Sequence, residues 1–387
     1  MNILYLYSAE INPIKGGVQR VTFVLSNYFR SKGHKVLFLG LKHSSLPYQH
    51  TFPDTVNACS KQNLDFLIHF IKKEKINITI FQEGVSSSHT KWLNAVKQTD
   101  SKLISCIHNS MIGGIVNMKQ SSQNRLKKYH LQSLIFLLKL PFIPSLIKWI
   151  YCIIMHPHYK RLCKVSDKVV LLSNSFKKEL NLFINANKYN NITAIPNPVS
   201  FPSPNIIPTK KKKVLYVGRI DTKHKRVDLL IQIWEKIWKR FPDWSLDIVG
   251  DGVELEKIKK YVHDKSIQNI KFYGFQNPSS FYQEASIFCM TSSSEGFGIV
   301  LIEAMQNGVV PIAFNSYLSV TDIITDKING LLVTPMNITE YANTLSSLIM
   351  NPEQRRVMSS NCINKAKEFS IEKIGERWLS LLKSMLT

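Results

Sequence analysis

At 387 residues, with a hydrophobic share of 44% and a mean hydropathy of -0.07, the chain excludes a disordered protein and has room for two domains with separate cores. Its charge is uneven: residues 1–200 hold 26 Lys+Arg against 8 Asp+Glu, a net +18, whereas residues 201–387 hold 24 against 19, a net +5. A basic half faces an anionic partner such as phospholipid headgroups, a lipid-linked phosphate or nucleic acid; the dispersed cations and the lack of a recognition motif argue against nucleic acid.

The first run, Ile3 to Tyr7, reads as a strand; without a basic n-region before it, a cytoplasmic rather than secreted protein is expected. Gly16-Gly17 then opens a helix over Val18 to Ser31. Further strands are predicted at Val36–Leu39, Ile76–Gln82, Leu103–Ile107, Lys168–Leu172 and Thr193–Ile195. The six cysteines form no Cys-x-x-Cys pair and no zinc-spaced cluster with histidine, which points to a reducing compartment and no structural metal.

One stretch breaks this pattern. Leu134 to Ile154 is apolar and long enough to span a bilayer, but Lys139, Pro141, Pro144 and Lys148 interrupt it. Basic residues flank it (Arg125, Lys127, Lys128; Lys160, Arg161, Lys164), and Trp149 and Tyr151 suit an interface. An in-plane, membrane-associating element within 125–164 and a buried hairpin broken at the prolines both fit; the basic first half favours the former.

The linker follows at 201–213, rich in proline and lysine and without periodicity. Beyond it, β-rich runs at Val214–Val217, Ser245–Val249, Ile270–Phe275, Ile287–Thr291 and Val309–Phe314 alternate with helical patterns such as Val227–Trp238. Both halves therefore predict α/β folding with doubly wound parallel sheets. The expected domains are 1–200 and 214–370, with a C-terminal helix at 371–387 packing back toward the first.

The chemistry concentrates in Glu295-Gly-Phe-Gly-Ile-Val-Leu-Ile-Glu303. Gly296 and Gly298 keep the loop open around Phe297, and an apolar helix over Ile299 to Met305 stops at Gly308. Loop amides and a helix N-terminus suit a phosphate, and two carboxylates suit hydroxyls, which is what a nucleotide sugar presents.

Taken with Gly16-Gly17, Val217-Gly218-Arg219, Lys225-Arg226-Val227-Asp228 and Asn329-Gly-Leu-Leu-Val333, this stretch resembles the retaining glycosyltransferases of family four. The resemblance implies a GT-B fold, two Rossmann-like domains facing across a cleft. It implies that Arg219 and Lys225 bind the donor diphosphate and stabilise its developing charge without a metal. The loop around them is one residue longer than usual, so Lys223 competes with Lys225 for that role. By the same resemblance Glu295 contacts the transferred sugar, Glu303 the ribose hydroxyls, and the amides of Gly296, Phe297 and Gly298 the sugar and phosphate. Main chain near Gly274 and Phe275 holds the base. Gly16 and Gly17 approach the diphosphate from the first domain, and His108 reaches the donor sugar.

The implied activity is transfer of a hexose or N-acetylhexosamine, with retention and without cofactor, from a nucleotide diphosphate sugar, UDP leading, to a lipid-linked saccharide. The setting would be surface polysaccharide synthesis, such as lipopolysaccharide or capsule, by a peripheral protein on the inner face of the plasma membrane. A nucleotide-sugar hydrolase or epimerase of the same fold, or an inactive binding homologue, are the alternatives.

Overall fold

The computed structural model describes residues 1–8, 12, 16–43, 48–85, 90–113, 143–199, 201 and 209–387. The chain divides into two compact units, one comprising Met1–Pro196 with Ile374–Thr387, the other Asn197–Lys373. Helix Ile371–Ser384 thus belongs mostly to the first unit.

The first unit holds a seven-stranded sheet: β1 (Asn2–Tyr7), β2 (Lys35–Gly40), β3 (Gln49–Thr51), β4 (Ile78–Phe81), β5 (Lys102–Ile107), β6 (Lys168–Leu171) and β7 (Ile192–Ala194). The order is β3-β2-β1-β4-β5-β6-β7, and every pairing is parallel. The second unit repeats the plan with β8 (Lys213–Val217), β9 (Ser245–Val249), β10 (Ile270–Phe272), β11 (Ile287–Met290), β12 (Val310–Phe314) and β13 (Leu331–Val333). Here the order is β10-β9-β8-β11-β12-β13, again parallel throughout. Central strands such as Ile78–Phe81 and Ile287–Met290 are buried along their whole length, as expected of parallel strands covered on both faces.

In each sheet the winding reverses between two neighbours, β1 and β4 in one, β8 and β11 in the other. The loops leaving those strands open at the carboxyl edge, where doubly wound sheets take ligands.

The structure corrects the expected elements in three places. Strands β3 and β13 were not predicted; each has only three residues, too few to show a period. Strand β10 ends at Phe272 instead of Phe275, because Gly274 takes a left-handed φ of +70° that no strand accommodates. Residues 125–142 of the predicted membrane element and 202–208 of the linker lie outside the described residues; helix Ile143–Val165 covers the rest of that element. Among the described residues, no helix is long and apolar enough to cross a membrane.

Candidate active site

Two loops at the switch point of the second sheet carry most of the candidate residues. The loop after β8 runs from Gly218 to Arg226 and is built around Asp221. One carboxylate oxygen, Oδ1, accepts from the backbone N–H of Lys223 (3.1 Å), His224 (2.7 Å) and Lys225 (3.0 Å), and Oδ2 accepts from Arg219 Nε at 2.8 Å. Burial alone would raise the pKa of Asp221, but the amides of Lys225 and His224 and the Arg219 guanidinium outweigh it and hold the carboxyl below its ordinary range. The side chain of Arg219 stays 65% exposed, so its guanidinium is anchored on one edge and open on the other.

The loop after β11 is stitched to the first. Thr291 Oγ1 donates to the carbonyls of Lys225 (3.1 Å) and Arg226 (3.0 Å), Ser293 Oγ to Lys223 (2.8 Å), and the Ser293 N–H to His224 (2.7 Å). Across this seam Lys225 Nζ meets Glu295 Oε1 at 2.6 Å, with both side chains largely buried. Two residues singled out from separate motifs are therefore in direct contact. Lys223, the competing lysine, is exposed, and among the described residues it gives the loop backbone contacts only.

Beyond Glu295 the chain turns into helix Ile299–Gln306. Gly298 is its N-cap at φ +89°, and a Cβ there would lie 2.7 Å from the Tyr317 hydroxyl, so glycine is required on both counts. Ser319 Oγ donates to the carbonyls of Gly296 (3.2 Å) and Phe297 (3.4 Å), leaving the Phe297 ring to pack edge-on against Phe369. The helix closes in a Schellman turn: Gly308, at φ +71°, donates to Met305 and Val309 to Ala304. Glu303 lies inside, buried, and accepts from the Tyr282 hydroxyl at 3.1 Å.

Two glycines missed in the sequence hold the β8 loop from the other side. A Cβ on Gly250 would sit 1.9 Å from the Gly218 carbonyl oxygen, and one on Gly252 would sit 2.1 Å from that of Ile220. The Ile220 N–H donates to the Asp251 carbonyl at 2.8 Å, and the Gly250 N–H to the Gly274 carbonyl at 2.8 Å. The Gly-Asp-Gly that follows a predicted strand was the available signal. Asp221 also escaped notice, because its role depends on a backbone turn that spacing alone does not reveal. Phe275, beyond Gly274, is exposed.

In the first unit, His108 and Gln82 leave the neighbouring strands β5 and β4. The Nε2 of His108 hydrogen-bonds Gln82 Oε1, and His108 Nδ1 is buried with no partner among the described residues. Burial pushes the imidazole down to about 4, so it is neutral at neutral pH. The loop behind it is clamped by Glu179, whose carboxylate accepts from Ser110 Oγ (3.0 Å) and the Met111 N–H (2.6 Å). Gly16 caps helix Gly17–Ser31, and a Cβ on either glycine would meet nothing within 4 Å.

Residues 200–365 match the family model described as glycosyl transferases group 1. The chain is 36% identical over 219 residues to an uncharacterized glycosyltransferase of Haemophilus influenzae, which covers 56% of this chain and 61% of that protein. It is 29% identical over 229 residues to the amylovoran biosynthesis glycosyltransferase AmsD of Erwinia amylovora, covering 56% and 62%. The chain thus spans about three fifths of the length of these curated relatives. Among solved structures, Anabaena HepE in complex with UDP-glucose superposes with a TM-score of 0.73 at 15% identity, over 99% of this chain and 100% of that one. At that identity the likeness carries the fold alone. The matched stretch contains both loops of the second sheet, Gly218–Arg226 and Thr291–Gly298, and the two-sheet frame is the GT-B fold.

Proposed function

We propose that this protein is a retaining, metal-independent glycosyltransferase that moves a hexose or N-acetylhexosamine from a UDP-sugar to a lipid-linked saccharide in surface polysaccharide synthesis. The observation that carries the proposal is the Lys225–Glu295 pair at the switch point, beside the half-open guanidinium of Arg219. A sugar diphosphate arriving there offers Lys225 a doubly charged oxygen cluster in place of one carboxylate. Lys225 passes from Glu295 to the phosphate, and Glu295 is released to accept from a hydroxyl of the transferred sugar. Arg219 and Lys225 then stabilise the charge that grows on the departing diphosphate, the role a metal ion would otherwise fill. Lys225, rather than Lys223, takes this part because it alone of the two turns inward onto Glu295.

Glu303 is assigned to the ribose hydroxyls, the amides of Gly296 to Gly298 to the sugar and phosphate, and the chain near Gly274 and Phe275 to the base. His108, neutral and with an unused acceptor at Nδ1, is suited to a sugar hydroxyl. The acceptor attacks on the face the diphosphate leaves, which takes up its proton, so configuration is retained. The polysaccharide setting follows the name of the AmsD relative, and the donor base follows HepE, which binds UDP-glucose. The net +18 of the first half suits a lipid-linked acceptor and an anionic membrane surface on the inner face of the plasma membrane.

The test is a panel of nucleotide sugars, scored for donor turnover with and without a lipid-linked acceptor and in the presence of EDTA. A glycosylated lipid, formed fastest from a UDP-sugar and equally well in EDTA, is expected. Free sugar as the product in both arms would make the protein a hydrolase. Full activity and donor affinity in Glu303→Ala would overturn the donor assignment.

A further inference from the structure

Helix Ile143–Val165 is apolar on two sides. Its inner side is seated by Ile147, Tyr159, Leu162 and Cys163, all buried, with Tyr151 and Tyr159 packed on Phe183 at ring distances of 5.8 and 4.6 Å. On the outer side Leu146, Trp149, Ile150, Ile153 and Ile154 are all exposed, Trp149 by 62% and Ile153 by 52%. Their spacing of i, i+3, i+4, i+7 and i+8 makes one stripe along about two and a half turns. Scattered single apolar residues need no explanation, but a contiguous stripe of five does.

The same stripe continues along the helix as Pro157, Lys160, Arg161 and Lys164, all exposed. Charge and apolar surface are thus separated along the axis, not around it. No acidic residue occurs between Asp100 and Asp167, a stretch with ten lysines and arginines. A protein partner would be expected to meet some acidic side chain here; an anionic lipid surface meets only complementary charge.

We infer that this face docks on an anionic phospholipid bilayer in a tilted pose. The Leu146–Ile154 half enters the interface, and Lys160, Arg161 and Lys164 rest among the phosphates. The two halves span roughly 27 Å from Leu146 to Lys164 at helical rise, long enough to reach both zones. Pro157 limits the depth, because it has no N–H to donate to the carbonyl of Ile153; that carbonyl must stay where water or headgroups reach it. The pose deepens the proposed membrane association and rests on it for the identity of the acceptor, though not for vesicle binding itself.

The experiment uses the full chain with vesicles of phosphatidylcholine alone and of phosphatidylcholine with phosphatidylglycerol, read by co-sedimentation. Binding should require the anionic lipid. Trp149→Glu with Ile153→Glu should weaken it by about tenfold or more, and Lys160→Gln with Arg161→Gln and Lys164→Gln by about tenfold to a hundredfold at low salt. These positions are exposed, and unchanged circular dichroism and melting will show that the variants fold. Fluorescence of the wild type minus that of Trp149→Phe should shift to the blue on anionic vesicles. Equal binding by wild type and both variants would overturn the inference. So would a concentration-dependent dimer, dissolved by Trp149→Glu, in a protein that ignores vesicles. Binding of UDP in solution, read by calorimetry, should be the same in all variants; its absence even in the wild type would count against the proposed activity and leave the vesicle result standing.

Discussion

Lys225 and Glu295 neutralise each other before any donor arrives, at 2.6 Å in a largely buried setting. Removing one partner therefore does two things: it deletes a contact to the donor and strands the other charge. Lys225→Ala should lower kcat by about a hundredfold or more in a steady-state transfer assay, and Glu295→Gln should do so with less effect on donor affinity. Asp221 touches no donor in this scheme but sets the turn that presents Arg219 and Lys225. Asp221→Asn should lower turnover by about tenfold and also lower the melting temperature, because its amide turns a donor toward a group that the carboxylate accepted from. A pH signature comes from His108. Its folded pKa of about 4 lies below the ordinary 6.5, so the unfolded chain binds the proton more readily. Stability should fall as pH drops from about 6.5 toward 4, by on the order of 3 kcal/mol, and level off below. Denaturant titrations of wild type and His108→Asn across that window should differ by this component. The residue types were legible in the sequence, because cations, carboxylates and glycines sit at motif spacing. The choice of Lys225 over Lys223 and the part of Asp221 were not, since both are decided by which way a turn faces.

The active loops owe their shape to elements that never reach a ligand. Gly250 and Gly252 let the β9 loop lie against the backbone of Gly218 and Ile220, at distances no side chain tolerates. Gly250→Ala should cost about 3 kcal/mol, measured by denaturant unfolding, and weaken nucleotide binding together with stability. A variant with normal stability and affinity would show that the backbone relaxes freely there. The long strands, and helices such as Gly17–Ser31, Val227–Ile237 and Ile299–Gln306, were readable from apolar runs and glycines alone. Strands β3 and β13 were not, nor was the early end of β10, which a single left-handed glycine imposes. Helix Ile143–Val165 was only half legible. Its apolar content was plain, but an apolar residue facing the core and one facing solvent look alike until the helix is seated.

At the scale of the whole molecule, the first unit is completed by the end of the chain. Ile374, Trp378, Leu379 and Leu382 are buried, Tyr28 donates to Glu376 at 2.6 Å, and Arg377 donates to the Ala194 carbonyl at 2.7 Å. A Cβ on Gly375 would lie 2.3 Å from the Tyr28 ring, so the helix packs as closely as its backbone permits. Deleting residues 374–387 should destabilise the first unit by on the order of 5 kcal/mol, with hydrogen exchange rising in helix Gly17–Ser31 and leaving β8 to β13 protected. The division into two α/β units could be read from the two series of apolar runs and the proline-rich linker. The return of the helix over 371–387 toward the first unit was an expectation, and only the contacts show which surface receives it.

The most direct test of the donor site is a calorimetric titration of UDP into the wild type and into Arg219→Ala with Lys225→Ala. Two charge-assisted contacts to a diphosphate predict a loss of about a hundredfold in affinity, measured at a temperature where circular dichroism shows both proteins folded. Equal affinity in the two proteins, or no binding of UDP by the wild type, would contradict the account.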